Sequence, residues 1–153
     1  MANTYTKIYL HVVFAVKNRV ALLPPHNQLR IFLYIRKILE NNGHLPIAVG
    51  GTCDHVHLFF VYSIKQSIPD LVREIKMNTT KFIKDQHLSP LCFCWQKGYA
   101  CFSYSHSQVD AVKNYVVKQN EHHRGRTLRD EIRLMFERFG VEYNEDYIFD
   151  DVD

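Results

Sequence analysis

Residues 55 to 62, HVHLFFVY, alternate strictly: Val56, Leu58, Phe60 and Tyr62 fall on one side of an extended chain, His55, His57 and Phe59 on the other. Successive side chains of a strand point to opposite faces, and a slip of one residue would exchange the two sets. This segment is therefore a strand with two unlike faces, one of which enters a core. The preceding residues 45–49, LPIAV, are short and apolar, and Gly50-Gly51 turns the chain, so the pair reads as a hairpin. A further alternating run, Tyr5 to Lys17, sets Ile8, Leu10, Val12, Phe14 and Val16 against Tyr5, Lys7, Tyr9 and His11.

Helical spacing fills the gaps between these strands. After Pro24-Pro25, residues 26–42 carry Leu29, Phe32, Leu33, Ile35, Ile38 and Leu39 and stop at Asn41-Asn42-Gly43. Ser67-Ile68-Pro69-Asp70 opens a second helix, with Leu71, Val72, Ile75, Thr79 and Phe82 in step and an end near Gln86. Residues 92–104 are aromatic strand material bent at Gly98. Residues 107–123 return to helical spacing through Val109, Val112 and Val116, and Thr127 opens a last helix with Leu128, Ile132, Met135 and Phe136. The order strand, helix, strand, strand, helix, strand predicts an α+β, ferredoxin-like antiparallel sheet with two crossover helices on one face. A tyrosine-bearing helix and a tail helix follow. The crossover helices leave the opposite sheet face uncovered, and His55, His57, Phe59, Tyr9 and His11 point to it.

A chain of 153 residues makes one domain, with a core over 1–123 and a helical, acidic tail over 124–153. No apolar stretch approaches the roughly 20 residues that cross a bilayer, and the start MANTYTKIYL lacks the layout of a secretory signal. A cytoplasmic location is expected. Cys53, Cys92, Cys94 and Cys101 have no paired spacing, which argues for reduced thiols over a zinc knuckle or disulfide framework. All 19 Lys and Arg residues precede residue 140 while six of the 16 acids follow it, so residues 1–139 carry an excess of nine positive charges. A body of that charge suits a polyanion.

Two residues apart on a strand, His55 and His57 project their imidazoles from one side, their Cα atoms about 6–7 Å apart, and can share a metal ion. They also fit two exposed imidazoles beside Asp54. Tyr115 and Gln119, four apart on the 107–123 helix, share a face. Alone, they fit a packed tyrosine and a solvated amide better than a shared site.

Taken together, the run from Gly50 to Leu58 and the later Tyr115-Val116-Val117-Lys118-Gln119 with His122-His123 resemble the single-tyrosine transposases of bacterial single-strand insertion sequences, within the His-hydrophobe-His nucleases. The segments TKIYLHVVFAVK, WQKGYACFSYSHSQ and GVEYNEDYIF carry the likeness over nearly the whole chain. Cys53 departs from the proline common at that place. The tail beyond His123 resembles the branch associated with repetitive palindromic elements.

This resemblance implies His55 and His57 as metal ligands, Gln119 as the third through its side-chain oxygen, and Tyr115 as a nucleophile leaving a 5′-phosphotyrosine and a free 3′-hydroxyl. It implies Mg2+ or Mn2+, single-stranded DNA bearing hairpins as substrate, and a homodimer in which one subunit's tyrosine helix can complete the other's site. Lys118, Arg73, Lys76, Arg124 and Arg126 are available for phosphates, and Trp95, Tyr99, Phe102 and Tyr104 for base stacking. Two rival readings are a non-catalytic nucleic-acid-binding module and a metal-dependent phosphoesterase that uses water.

Overall fold

A computed structural model describes residues 2–17, 22–90, 92–119 and 127–144. Strand β1 (Tyr9–Ala15) leads to helix α1 (Pro25–Asn41), the hairpin β2 (Leu45–Gly51) and β3 (His55–Val61), helix α2 (Ile68–Asp85) and strand β4 (Ala100–Tyr104). The sheet order is β2-β3-β1-β4, every neighbouring pair antiparallel. This is the predicted ferredoxin-like arrangement. Helices α3 (Val109–Val117) and α4 (Leu128–Phe139) follow it.

The alternation of β1 and β3 works as expected. Leu10, Val12, Phe14, Val56, Leu58 and Phe60 enter one core with the inner faces of α1 and α2. Complete burial of side chains such as Phe14 and Phe60 stabilises the fold by roughly 1.5–3 kcal/mol each. In α1 the apolar part of the buried stripe is Ile31, Ile35, Ile38 and Leu39, with Gln28 beside it; Leu29 and Leu33, expected to join it, lie about 200° around the helix and are 66% and 55% exposed. β1 also starts later than Tyr5, because its partners run out: Tyr9 already faces Val61 on one side and Tyr104 on the other.

Local chemistry sets the helix ends. Ser67 caps α2 by accepting from the Asp70 amide, and Thr127 caps α4 by accepting from the Asp130 amide. Gly140 ends α4 in the left-handed region, with φ at 66°. The expected 107–123 helix begins with a 3₁₀ turn, His106–Gln108, boxed by Ser105 and Gln108, and its residues 120–123 lie outside the described part.

The second sheet face is not open. α3 packs Val112 and Val116 against Tyr9, Ala48 and Phe59, and α4 packs Leu128, Ile132 and Met135 against Val13, Ala15, Ala100 and Phe102. The histidine face of the sheet lies beneath the seam between these helices.

Candidate active site

His55 and His57 are 1% and 0% exposed, which removes the reading of two exposed imidazoles. The Asp54 carboxylate oxygen lies 2.6 Å from His55 Nδ1, and Thr52 Oγ1 donates to that oxygen at 3.0 Å. An ionised carboxylate only accepts, so His55 carries its proton on Nδ1 and turns the Nε2 lone pair inward. The turn that precedes it depends on Gly51, where a β-carbon would lie 2.2 Å from the His55 carbonyl oxygen.

Gln119 reaches this nitrogen from the segment after α3. It is 1% exposed, its Oε1 lies 3.4 Å from His55 Nε2, and its Nε2 donates to the Tyr115 carbonyl at 3.1 Å and to Glu131 Oε1 at 3.5 Å. Because the amide nitrogen is engaged on that side, an oxygen acceptor faces the His55 lone pair. The Tyr115 ring, half-buried, meets the His57 ring edge-on at 5.8 Å between centroids and the His11 ring at 6.2 Å. The predicted pair thus joins the histidines of its own chain.

Glu131 was not anticipated. It lies on α4, 6% exposed, with Oε1 3.7 Å from His57 Nε2, and ligating atoms of His55, His57 and Glu131 all fall within 4.8 Å of one another. The available signal was its place in the apolar stripe Leu128, Ile132, Met135, where a carboxylate is out of pattern. Burial, reinforced by the Asp54 charge, raises its carboxyl to about 8. Burial alone lowers His11, packed against His57, to about 3.

Candidate ligand atoms therefore converge from four residues: His55 Nε2, His57 Nε2, Gln119 Oε1 and Glu131 Oε1. A cation among them would relieve the facing lone pairs and the desolvated carboxyl, so the residues present fit a metal ion. None is a thiolate. The four cysteines form no disulfide, and among the described residues no cysteine joins the cluster.

The surface residues divide. Arg73 is exposed and pairs with Asp70 at 2.8 Å, and Lys118 is exposed where α3 ends. Lys76 donates to the Gln96 and Gly98 carbonyls at 2.8 and 2.7 Å, which pins the loop before β4. Its burial lowers the ammonium to about 8, against an opposing effect of Cys94. Arg124 and Arg126 lie outside the described residues. Of the stacking candidates, Trp95 and Phe102 are buried in cores and Tyr104 packs on Phe139 and Phe59. Tyr99 alone of the four is exposed.

No curated protein matches the chain. Several solved structures share its fold, among them two transposases. A Deinococcus radiodurans R1 protein assigned as a transposase is 21% identical with a TM-score of 0.59, covering 76% of this chain and 93% of that one. A tyrosine transposase associated with REP sequences, solved bound to a REP hairpin, is 16% identical with a TM-score of 0.58, covering 100% of this chain and 93% of that one. The family model for IS200-like transposases matches residues 4–119, from before β1 to the Gln119 that faces His55. That span holds both histidines, the tyrosine and the amide, and the chain belongs to the IS200-like transposase family, whose members cleave and transfer DNA.

Proposed function

We propose that this transposase cleaves and rejoins single-stranded DNA at hairpin-bearing ends through a covalent 5′-phosphotyrosine on Tyr115. The observation that carries the reading is the placement of Tyr115 against His57 while Gln119, one turn on, faces His55. Nucleophile and one ligand are thereby carried on one short segment, while His55 and His57 come from β3 and Glu131 from α4. The REP hairpin bound by the related structure supports a hairpin substrate for this chain.

In the proposed reaction the Tyr115 oxygen attacks the scissile phosphorus, the bond to the 3′ oxygen breaks, and that oxygen leaves as a 3′-hydroxyl after taking up a proton. Phosphodiester energy is kept in the tyrosyl ester, so a 3′-hydroxyl of another strand can reverse the step and join new ends. Tyrosine ordinarily ionises near about 10, so its proton must be withdrawn or its phenolate stabilised for attack at neutral pH. His55, His57, Gln119 and Glu131 would hold a divalent cation, and their imidazole and oxygen donors suit Mg2+ or Mn2+. When bound, that ion supplies positive charge for the phosphoryl oxygens.

Exposed Lys118 and Arg73, and Arg124 and Arg126 beyond the described residues, are proposed phosphate contacts; Lys76 contributes by fixing the loop before β4. The homodimer stays part of the proposal, with each chain supplying Tyr115 to its own site. The enzyme would act in the cytoplasm. No helix among the described residues is long and apolar enough to cross a membrane.

The test incubates the chain with Mn2+ and a hairpin-bearing single strand drawn from the DNA flanking its gene, then denatures the mixture. A protein–DNA adduct that disappears in Tyr115→Phe is the expected result. Cleaved strands with no protein attached would favour water as the nucleophile, and an adduct persisting in Tyr115→Phe would remove the tyrosine's role.

A further inference from the structure

Two imidazoles share one buried hydrogen bond beneath the site. His11 Nε2 lies 2.7 Å from His57 Nδ1, the rings stack at 4.9 Å with 23° between planes, and both side chains are fully buried. Their positions follow from the register: His57 faces Val13 across the β3–β1 ladder and His11 faces Phe59, so the histidines are diagonal neighbours on one sheet face.

A neutral imidazole has one N–H and one lone pair, so this contact fixes two tautomers together. If His11 donates, His57 bears its proton on Nε2, the nitrogen 3.7 Å from Glu131, and has no lone pair to offer there. If His57 donates from Nδ1, its Nε2 lone pair points into the cluster of His55 and Glu131. His11 must then carry its own proton on Nδ1. That atom is buried and has no hydrogen-bond partner among the described residues. An apolar residue at position 11 would avoid leaving a polar atom unmatched in the interior, so the orphaned nitrogen needs a compensating purpose.

We infer that His11 is a positioning residue that holds His57 in its Nδ1–H tautomer and so keeps the Nε2 lone pair turned to the metal site. It plays for His57 the part that Asp54 plays for His55, with an imidazole lone pair in place of a carboxylate. The two ligands thus have unlike outer partners, one anionic and one neutral. The inference rests on the metal site of the proposed function but not on the tyrosine chemistry.

Long-range 1H–15N spectra of the Mg2+-loaded full chain read the tautomer directly, and calorimetric titration with MnCl2 in the absence of DNA reads the affinity. Expected are a His57 proton on Nδ1, coupled across the hydrogen bond to His11 Nε2, and a Mn2+ affinity about 10–100-fold weaker in His11→Phe. His11→Gln, whose side-chain oxygen can accept the same proton, should recover most of that loss. A His57 proton on Nε2 in the Mg2+-loaded parent would overturn the inference, as would His11→Phe binding Mn2+ as tightly as the parent. Should His11→Phe fail to fold, the parent spectrum and the Gln variant still decide. A parent chain that binds no Mn2+ overturns the metal site along with this inference, whereas loss of the Tyr115 role would leave both intact.

Discussion

Gly50 on β2 and Val116 on α3 meet backbone to backbone: a β-carbon at Gly50 would lie 2.3 Å from the Val116 carbonyl oxygen and 3.2 Å from its carbonyl carbon. Gly50 pairs with His57 in the β2–β3 ladder, so the helix that carries Tyr115 is seated directly beside the strand that carries His55 and His57.

Gly50→Ala should therefore push α3 off its seat, because the atoms it meets are main chain and cannot swing aside. Overpacking of this kind costs about 1–3 kcal/mol, to be read in urea unfolding. If Tyr115 is the nucleophile, as proposed, its displacement by about 1 Å can cost 10²-fold in rate, so adduct formation should fall by about that factor. Unchanged unfolding and adduct yield would mean that α3 is seated by other contacts.

Glu131 gives the metal-free chain a pH dependence of defined sign. Its carboxyl stands near 8 in the fold, through burial first and Asp54 second, against an ordinary 4.5 when unfolded. The unfolded chain releases this proton first as pH rises, so the stability linked to the group is complete below pH 4.5 and lost between there and about 8. Glu131→Gln should flatten the urea midpoint across that window. At pH 8 the variant should bind Mn2+ at least about tenfold more weakly than the parent, the lower bound set by loss of even an outer partner of a ligand.

His11 acts at the acid end with the opposite charge. The unfolded imidazole takes up a proton below 6.5, while the buried one resists until about 3. Stability should accordingly fall as pH drops through that interval, and melting curves of His11→Phe without metal should show a shallower acid limb than the parent. Parallel limbs would mean that His11 is not held neutral in the fold.

The loop before β4, pinned by Lys76, is also held by a buried hydrogen bond from Trp95 Nε1 to Thr79 Oγ1 at 2.8 Å. Thr79→Val keeps the shape but leaves the indole N–H unmatched, which costs about 1–3 kcal/mol. Trp95→Phe in the Thr79→Val background should cost less than the sum of the two single changes, a comparison that chemical unfolding of the four proteins settles.

The order of strands and helices, the pairing of the two hairpin strands and the side of the sheet on which His55 and His57 fall were legible in the sequence. Period 2 and period 3.6 are local properties, and glycine, proline and the Ser67 and Thr127 caps mark their ends. The link between Tyr115 and Gln119 was legible for the same reason, since four residues make one helical turn. The tertiary structure decided what covers the second sheet face, because no local pattern tells a helix which surface to pack on. Docking of α3 and α4 there buried both imidazoles and brought Glu131 to within 3.7 Å of His57 across 74 residues of chain. Spacing could place a carboxylate out of pattern on its helix. Only the packing of that helix over the histidines could give it its charge environment and set it in a cluster able to hold a metal.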